Sequence, residues 1–235
     1  EVVASTKHFN ITRGFTFNNM QPFDQTGVKL SGDAGGLSWM VGAVNGIAPN
    51  QADIDGIKDF IWQLGYGTDA VTVLFNGQYG GDAETLGGGP KDHAMILNGV
   101  IEIAPTDALV MYTDITYNRI DDDGQNGVAT KDVKVLGIAV GGRAGVTDRL
   151  GLGGRFEWAN IEDDLGGVHP LSFTGGPNSE ILSTTGTIDF TIVDGLVARA
   201  EVQWQEVLTT NGLKRVFDDF EDDQLLVGAQ LFYAF

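Results

Sequence analysis

The sequence predicts an all-β chain: a transmembrane, antiparallel, up-and-down β-barrel of about twelve strands, with short turns at one end and long acidic loops at the other. Three observations carry that expectation. The last nine residues, Val227-Gly-Ala-Gln-Leu-Phe-Tyr-Ala-Phe235, alternate so that Val227, Ala229, Leu231, Tyr233 and Phe235 share one parity. One side of such a strand is apolar and ends in two aromatics, which suits contact with lipid and its interface. The same period-two alternation recurs in segment after segment, most of them reaching the roughly 9–11 residues a tilted membrane strand needs. Finally, five turn-like segments each carry one Asp (Asp33, Asp69, Asp107, Asp148 and Asp194), at intervals of 36, 38, 41 and 46 residues, each long enough for two strands and a loop.

In chain order, strands are expected over residues 25–32, 37–46, 58–67, 70–80, 92–104, 108–119, 132–146, 149–161, 180–193, 196–208 and 223–235. In 58–67, Phe60, Trp62, Leu64 and Tyr66 fall in line. In 149–161, Leu150, Leu152, Phe156 and Trp158 oppose Arg155 and Glu157. In 180–193, Ile188, Phe190 and Ile192 oppose Thr187, Asp189 and Thr191. In 196–208, Ala198, Ala200, Val202 and Trp204 oppose Arg199, Glu201, Gln203 and Gln205. An even count needs one more strand, and residues 9–17 alternate well enough to supply it. The competing reading of residues 1–24 is an inward-folded segment. All 235 residues then form a single domain.

Composition agrees. Glycine is abundant (34) and proline scarce (6), which favours tight turns between strands. No run of about 18 apolar residues exists, so a helical span is excluded. The absence of cysteine removes disulfides and thiolate metal sites. A net charge of −18 argues against nucleic acid. The chain starts at Glu1 without Met, so the reading is either a processed product or part of a longer one. A soluble sandwich or lipocalin-like barrel would turn the apolar face inward. Against it stand the single-file charges and amides of the polar faces, and the regular alternation of short turns with long polar loops.

That alternation also sets orientation. With residue 235 at the periplasmic side, the Asp-bearing turns are periplasmic, and residues 47–57, 81–91, 120–131, 162–179 and 209–222 are extracellular.

Asn10-Ile-Thr-Arg-Gly-Phe-Thr-Phe17, Gln21-Pro-Phe-Asp-Gln-Thr-Gly-Val28, Leu37-Ser-Trp-Met-Val-Gly-Ala-Val-Asn-Gly46 and the terminal Tyr233-Ala-Phe235 together resemble the OmpL-like β-barrel porins of the bacterial outer membrane. The match is to the C-terminal part of that family, whose members typically carry more strands before the segment matching Thr12-Arg13-Gly14. The resemblance implies passive diffusion of small solutes and no catalytic residues. It also implies that Tyr233 and Phe235 belong to the signal read by the outer-membrane insertion machinery.

Two sets of charges are candidate functional residues. Fifteen carboxylates gather in or beside the five extracellular segments, among them Asp121, Asp122, Asp123, Asp163, Asp164, Asp218, Asp219, Asp222 and Asp223. They read either as an electronegative vestibule that concentrates cations or as solvated loop tips. A third possibility is Ca2+ or Mg2+ bridging to lipopolysaccharide. Asp121-Asp-Asp-Gly-Gln-Asn-Gly127 has the residue types of a calcium loop without its ligand spacing. The second set should line the lumen: Lys29, Glu102, Asp114, Arg143, Arg155, Glu157, Asp189, Arg199 and Glu201. Beside it, Gly137, Ala139, Gly141, Gly145, Gly151 and Gly153 would leave an almost bare inner wall. Either the pore is widest there or something packs against it, and residues 15–23 are the candidate filler.

Enzyme motifs are absent. The three histidines have no metal-ligand spacing, and Asp92-His93 lacks a companion serine. The expected function is a porin-like, mildly cation-preferring outer-membrane channel without a resident cofactor. The alternative is an anchoring barrel with a closed lumen, whose loops bind lipopolysaccharide, surface-layer material or a partner chain. Membrane lipid is the certain environment in both, and a homo-oligomer is compatible with either.

Overall fold

A computed structural model describes residues 9–22, 25–46, 58–81, 93–122, 131–163, 178–210 and 222–233. They form one short helix, α1 (Phe15–Met20), and eleven strands: β1 (Gly27–Ala34), β2 (Leu37–Val44), β3 (Asp59–Gly67), β4 (Val71–Gly80), β5 (His93–Thr106), β6 (Leu109–Asp122), β7 (Lys131–Gly145), β8 (Leu150–Asp163), β9 (Asn178–Val193), β10 (Leu196–Thr210) and β11 (Asp223–Tyr233). Each strand pairs antiparallel with the next, giving a single up-and-down sheet in sequence order. Among the described residues no ladder joins β1 to β11. Val28 on β1 and Val227 on β11 are accordingly 76% and 75% exposed, against 48% for Phe156 in mid-sheet.

Three expectations need correction. The strand count among the described residues is eleven, because residues 9–17 form no strand; they turn across the inner face and start α1, their polar groups bonded to side chains there. Two late strands run longer than the alternation suggested: β9 has 16 residues and β10 has 15. Asp121 and Asp122 lie at the end of β6 and Asp163 ends β8, instead of lying in loops, while Asp223 begins β11 as expected. Polar residues at those ends alternate as well, and strand pairing continues through them.

The short turns have identifiable causes. Gly35 and Gly36 link β1 to β2 with φ of 60° and 85°, the pair of positive values a two-residue type I′ hairpin demands. At Thr68-Asp69 and Thr147-Asp148 it is the threonine that holds the turn. Thr68 Oγ1 accepts from the N–H groups of Ala70 (3.3 Å) and Val71 (3.0 Å), and Thr147 Oγ1 accepts from Arg149 (3.2 Å) and Leu150 (3.0 Å).

The outer face is a continuous apolar band, with Leu64, Phe75, Ile115, Val140, Phe156 and Ile188 all exposed. Aromatics mark both borders of it: Trp39, Tyr66, Phe190 and Tyr233 toward the short turns, Phe60, Tyr79 and Trp158 toward the long loops. Lipid removes this surface from water at about 25 cal/mol per Å2, and strands β2 to β10 are each paired on both sides, the backbone satisfaction that a bilayer requires. No helix among the described residues is long and apolar enough to cross a membrane.

Candidate functional site: the lumen face and its insert

Residues 9–22 lie across the inner face of the sheet. Their upper side is apolar. Met20 packs into a buried cluster of Ala94, Ile120, Val133, Val135, Ile161 and Ile181, with Phe15 against it. These wall residues are the inner-face positions at the ends of β5 to β9 that lead into the long connections, so the inner wall is not polar throughout. Gly137 supplies the room, since a Cβ there would lie 2.5 Å from Met20 Sδ and 2.6 Å from Thr16 Cγ2.

The lower side of the insert is polar and is held by two carboxylates. Glu201 on β10 accepts from the backbone N–H of Ile11 and Thr12 and from the Thr12 hydroxyl, the latter two at 2.8 and 2.6 Å. Glu157 on β8 accepts from the backbone N–H of Thr16 (3.1 Å) and its hydroxyl (2.9 Å). Gly14 sits so close to the Glu157 carboxylate that any side chain would collide with it. Three further tethers complete the set: Asn10 Nδ2 donates to Thr187 Oγ1 (2.7 Å), Gln21 Nε2 to Asp114 Oδ2 (3.1 Å), and Asn118 Nδ2 to the Met20 carbonyl (2.9 Å). Backbone groups of Ile11, Thr12 and Thr16 that a strand at 9–17 would have turned to a neighbour are thus bonded by side chains of β8 and β10.

Strand register places all nine predicted inner charges on this face. They do not act alike. Arg155 and Glu157, both buried, pair at 3.0 Å along β8, and Arg155 Nη1 also donates to the Thr12 carbonyl at 2.9 Å. Asp189 bridges two arginines, Arg199 directly opposite it and Arg143 at 2.7 Å. Arg143 reaches across β8 to do so, lying over Gly151, which explains one of the bare positions. A second, Gly141, is covered by the Tyr112 ring. Arg199 also stands 5.0 Å from the centre of the Phe232 ring, and its buried Nη1 has no partner among the described residues. Glu201 and Asp114 are bonded by N–H and O–H donors. Lys29, on edge strand β1, is exposed, and Glu102 faces Thr72 and Tyr112.

A second polar system runs along the opposite part of the wall. Gln63 Nε2 donates to Asn76 Oδ1 (2.6 Å), Asn76 Nδ2 to Asn98 Oδ1 (2.8 Å), and Asn98 Nδ2 to Asp114 Oδ1 (2.7 Å). Beside this ladder, Gln25 donates to Gln78 (2.6 Å) and Gln78 to Asp59 (2.7 Å). Between the end of the insert and β2–β5 is a cavity of about 240 Å3 that these amides line.

Of the outer-mouth residues, Asp121 accepts from Arg119, which also reaches Asp132 at 3.3 Å. Asp123, Asp164, Asp218 and Asp219 lie outside the described residues, as does Phe235, while Tyr233 ends β11. No group of three His, Asp or Glu among the described residues could hold a metal.

The family described as "Putative beta-barrel porin-2, OmpL-like" matches residues 1–235. The chain belongs to this porin family. Its fold is that of outer-membrane barrels, and the outer membrane of Gram-negative bacteria is where it resides. Outer-membrane-expressed OmpT of Vibrio cholerae is similar with a TM-score of 0.60 at 14% identity, over 94% of this chain and 69% of that one. In-vitro folded OmpT gives 0.59 at 13%, over 88% and 64%. The outer membrane channel DcaP of Acinetobacter baumannii gives 0.57 at 11%, over 89% and 62%. This chain therefore spans about 62–69% of the length of these barrels. A comparison with curated protein sequences gives no match.

The anchors that sequence reasoning did not single out are Asn10, Thr12 and Thr16 on the insert and Thr187, Asn98 and Asn118 on the wall. The wall residues share parity with the predicted charges and could have been found from that alone. The insert's threonines carry no comparable signal.

Proposed function

We propose that this porin-family protein is a passive diffusion channel for small hydrophilic solutes or ions, mildly cation-preferring, narrowed by residues 9–22. The observation that carries the reading is the pinned insert on a polar inner wall. A segment held by Glu157, Glu201 and Asp114 constricts the lumen while the amide-lined side keeps open volume. Family and fold support a channel in preference to a catalyst. Inner charges largely cancel one another, so the cation preference rests on the acidic extracellular end, where Asp122 ends β6, Asp163 ends β8 and Asp223 begins β11.

The test is a reversal potential in a salt gradient across a planar bilayer holding the full-length protein. Cation preference that fades as salt rises is expected, because exposed charge acts over about 10 Å at 0.1 M and about 3 Å at 1 M. Replacing Asp218, Asp219, Asp222 and Asp223 by Asn should weaken it. Anion preference would assign control to Arg143, Arg155 and Arg199. Zero current would favour the anchoring barrel, for which the same insert serves as a stopper and the acidic rim binds lipopolysaccharide through divalent ions.

A further inference from the structure

We propose that the cavity between the insert and strands β2–β5 is a subsite for a small, uncharged, hydroxylated solute, a monosaccharide being the representative. The inference rests on the channel reading above and adds a substrate class to it.

The cavity's polar lining consists of amides: Gln21 from the insert's end, Gln25 just ahead of β1, and Gln63, Asn76, Gln78 and Asn98 from the wall. Its apolar lining includes Met40, Ile61 and Ile96. Among the described residues no charged side chain lines it. The two nearby carboxylates, Asp59 and Asp114, lie behind the amides and accept from them: Gln78 donates to Asp59 at 2.7 Å, and Asn98 and Gln21 donate to Asp114 at 2.7 and 3.1 Å. An ion entering this space would shed water without meeting a counter-charge, which is costly. A hydroxylated ring loses little, because each hydroxyl both donates and accepts and so does each amide.

Unspent capacity is present. Among the described residues, Gln21, Gln25 and Gln63 each use one N–H, toward Asp114, Gln78 and Asn76. Each keeps a second N–H and a carbonyl oxygen. The hydrogen-bonded ladder fixes the positions of these groups before a solute arrives, so little ordering remains on binding. Met40, Ile61 and Ile96 offer the apolar patch that the C–H face of a sugar ring covers. The volume of about 240 Å3 lies below the roughly 300–1,000 Å3 of sites for larger ligands, and suits one ring.

The test uses the full-length protein in two formats. Calorimetry in detergent measures binding of D-glucose, with gluconate and glucosamine as charged counterparts. Bilayer recording measures block of the ion current by the same three probes. Saturable glucose binding at least tenfold tighter than either charged probe is expected, together with partial block. Gln63→Leu with Asn76→Leu should weaken glucose at least tenfold, and Gln63→Glu should invert the order in favour of glucosamine. Ion current with no saturable glucose binding overturns the subsite and leaves the channel standing. Equal binding of glucose, gluconate and glucosamine overturns it too, even where a variant fails to fold. Glucose binding without any ion current overturns the channel reading and keeps the site.

Discussion

Glu157 Oε1 accepts two hydrogen bonds from one residue of the insert, the backbone N–H of Thr16 at 3.1 Å and its hydroxyl at 2.9 Å. The other carboxylate oxygen of Glu157 meets Arg155 Nε at 3.0 Å. One buried carboxylate thus fixes the insert and neutralises a wall arginine. Removing it should damage both.

Glu157→Ala takes from Arg155, whose side chain is fully buried, the carboxylate it pairs with at 3.0 Å, a loss of about 3–5 kcal/mol. Replacing Arg155 and Glu157 together by Met should cost markedly less, since no orphaned charge remains. Denaturant unfolding of the two variants in detergent checks the order. Equal losses would show that the pair is not coupled.

The insert needs its glycines. Gly137→Val should displace Met20 and Thr16, and Gly14→Val should collide with the Glu157 carboxylate, each costing about 1–3 kcal/mol of overpacking. Gly186→Val, with nothing within 4 Å of its Cβ position, should be tolerated. Faster protease cleavage within residues 9–22 in the first two variants, and not in the third, is the expected readout.

Much of this was legible beforehand, and the limit has a physical cause. A period of two fixes which residues share a face, so Arg143, Arg155, Asp189 and Arg199 could be assigned to one wall. It does not say which partner a long side chain chooses. Arg143 bypasses its neighbouring strand to reach Asp189 because Gly151 leaves the way clear. Alternation also misread residues 9–17, where Phe15 and Phe17 look like one side of a strand but belong to a helix seated on the wall. The glycines showed that room existed along β7 and β8. That Met20, Thr16, Tyr112 and Arg143 occupy it depends on contacts far apart in the chain.

Facing predicts an asymmetric response to charge. Phe156→Arg puts a guanidinium on the lipid side and should cost about 2–4 kcal/mol near the midplane. Thr72→Arg, on the inner face opposite Glu102, should cost far less because it stays hydrated and gains a carboxylate. Folding yield into lipid vesicles measures both, and equal yields would erase the facing assignment.

The folded barrel should be heat-modifiable. Unboiled samples of the full-length protein in detergent gels should migrate as a compact band and boiled ones more slowly, because strands β2 to β10 are each paired on both sides and leave detergent little free backbone to enter. The same migration with and without boiling would count against a barrel.

The central claim is that residues 9–22 narrow a conducting lumen. Single-channel recording of the full-length protein, and of a variant with residues 10–22 replaced by a short Gly-Ser linker, tests it most directly. Current is expected in the first, and a several-fold larger, less selective current in the second. The same conductance in both would contradict it.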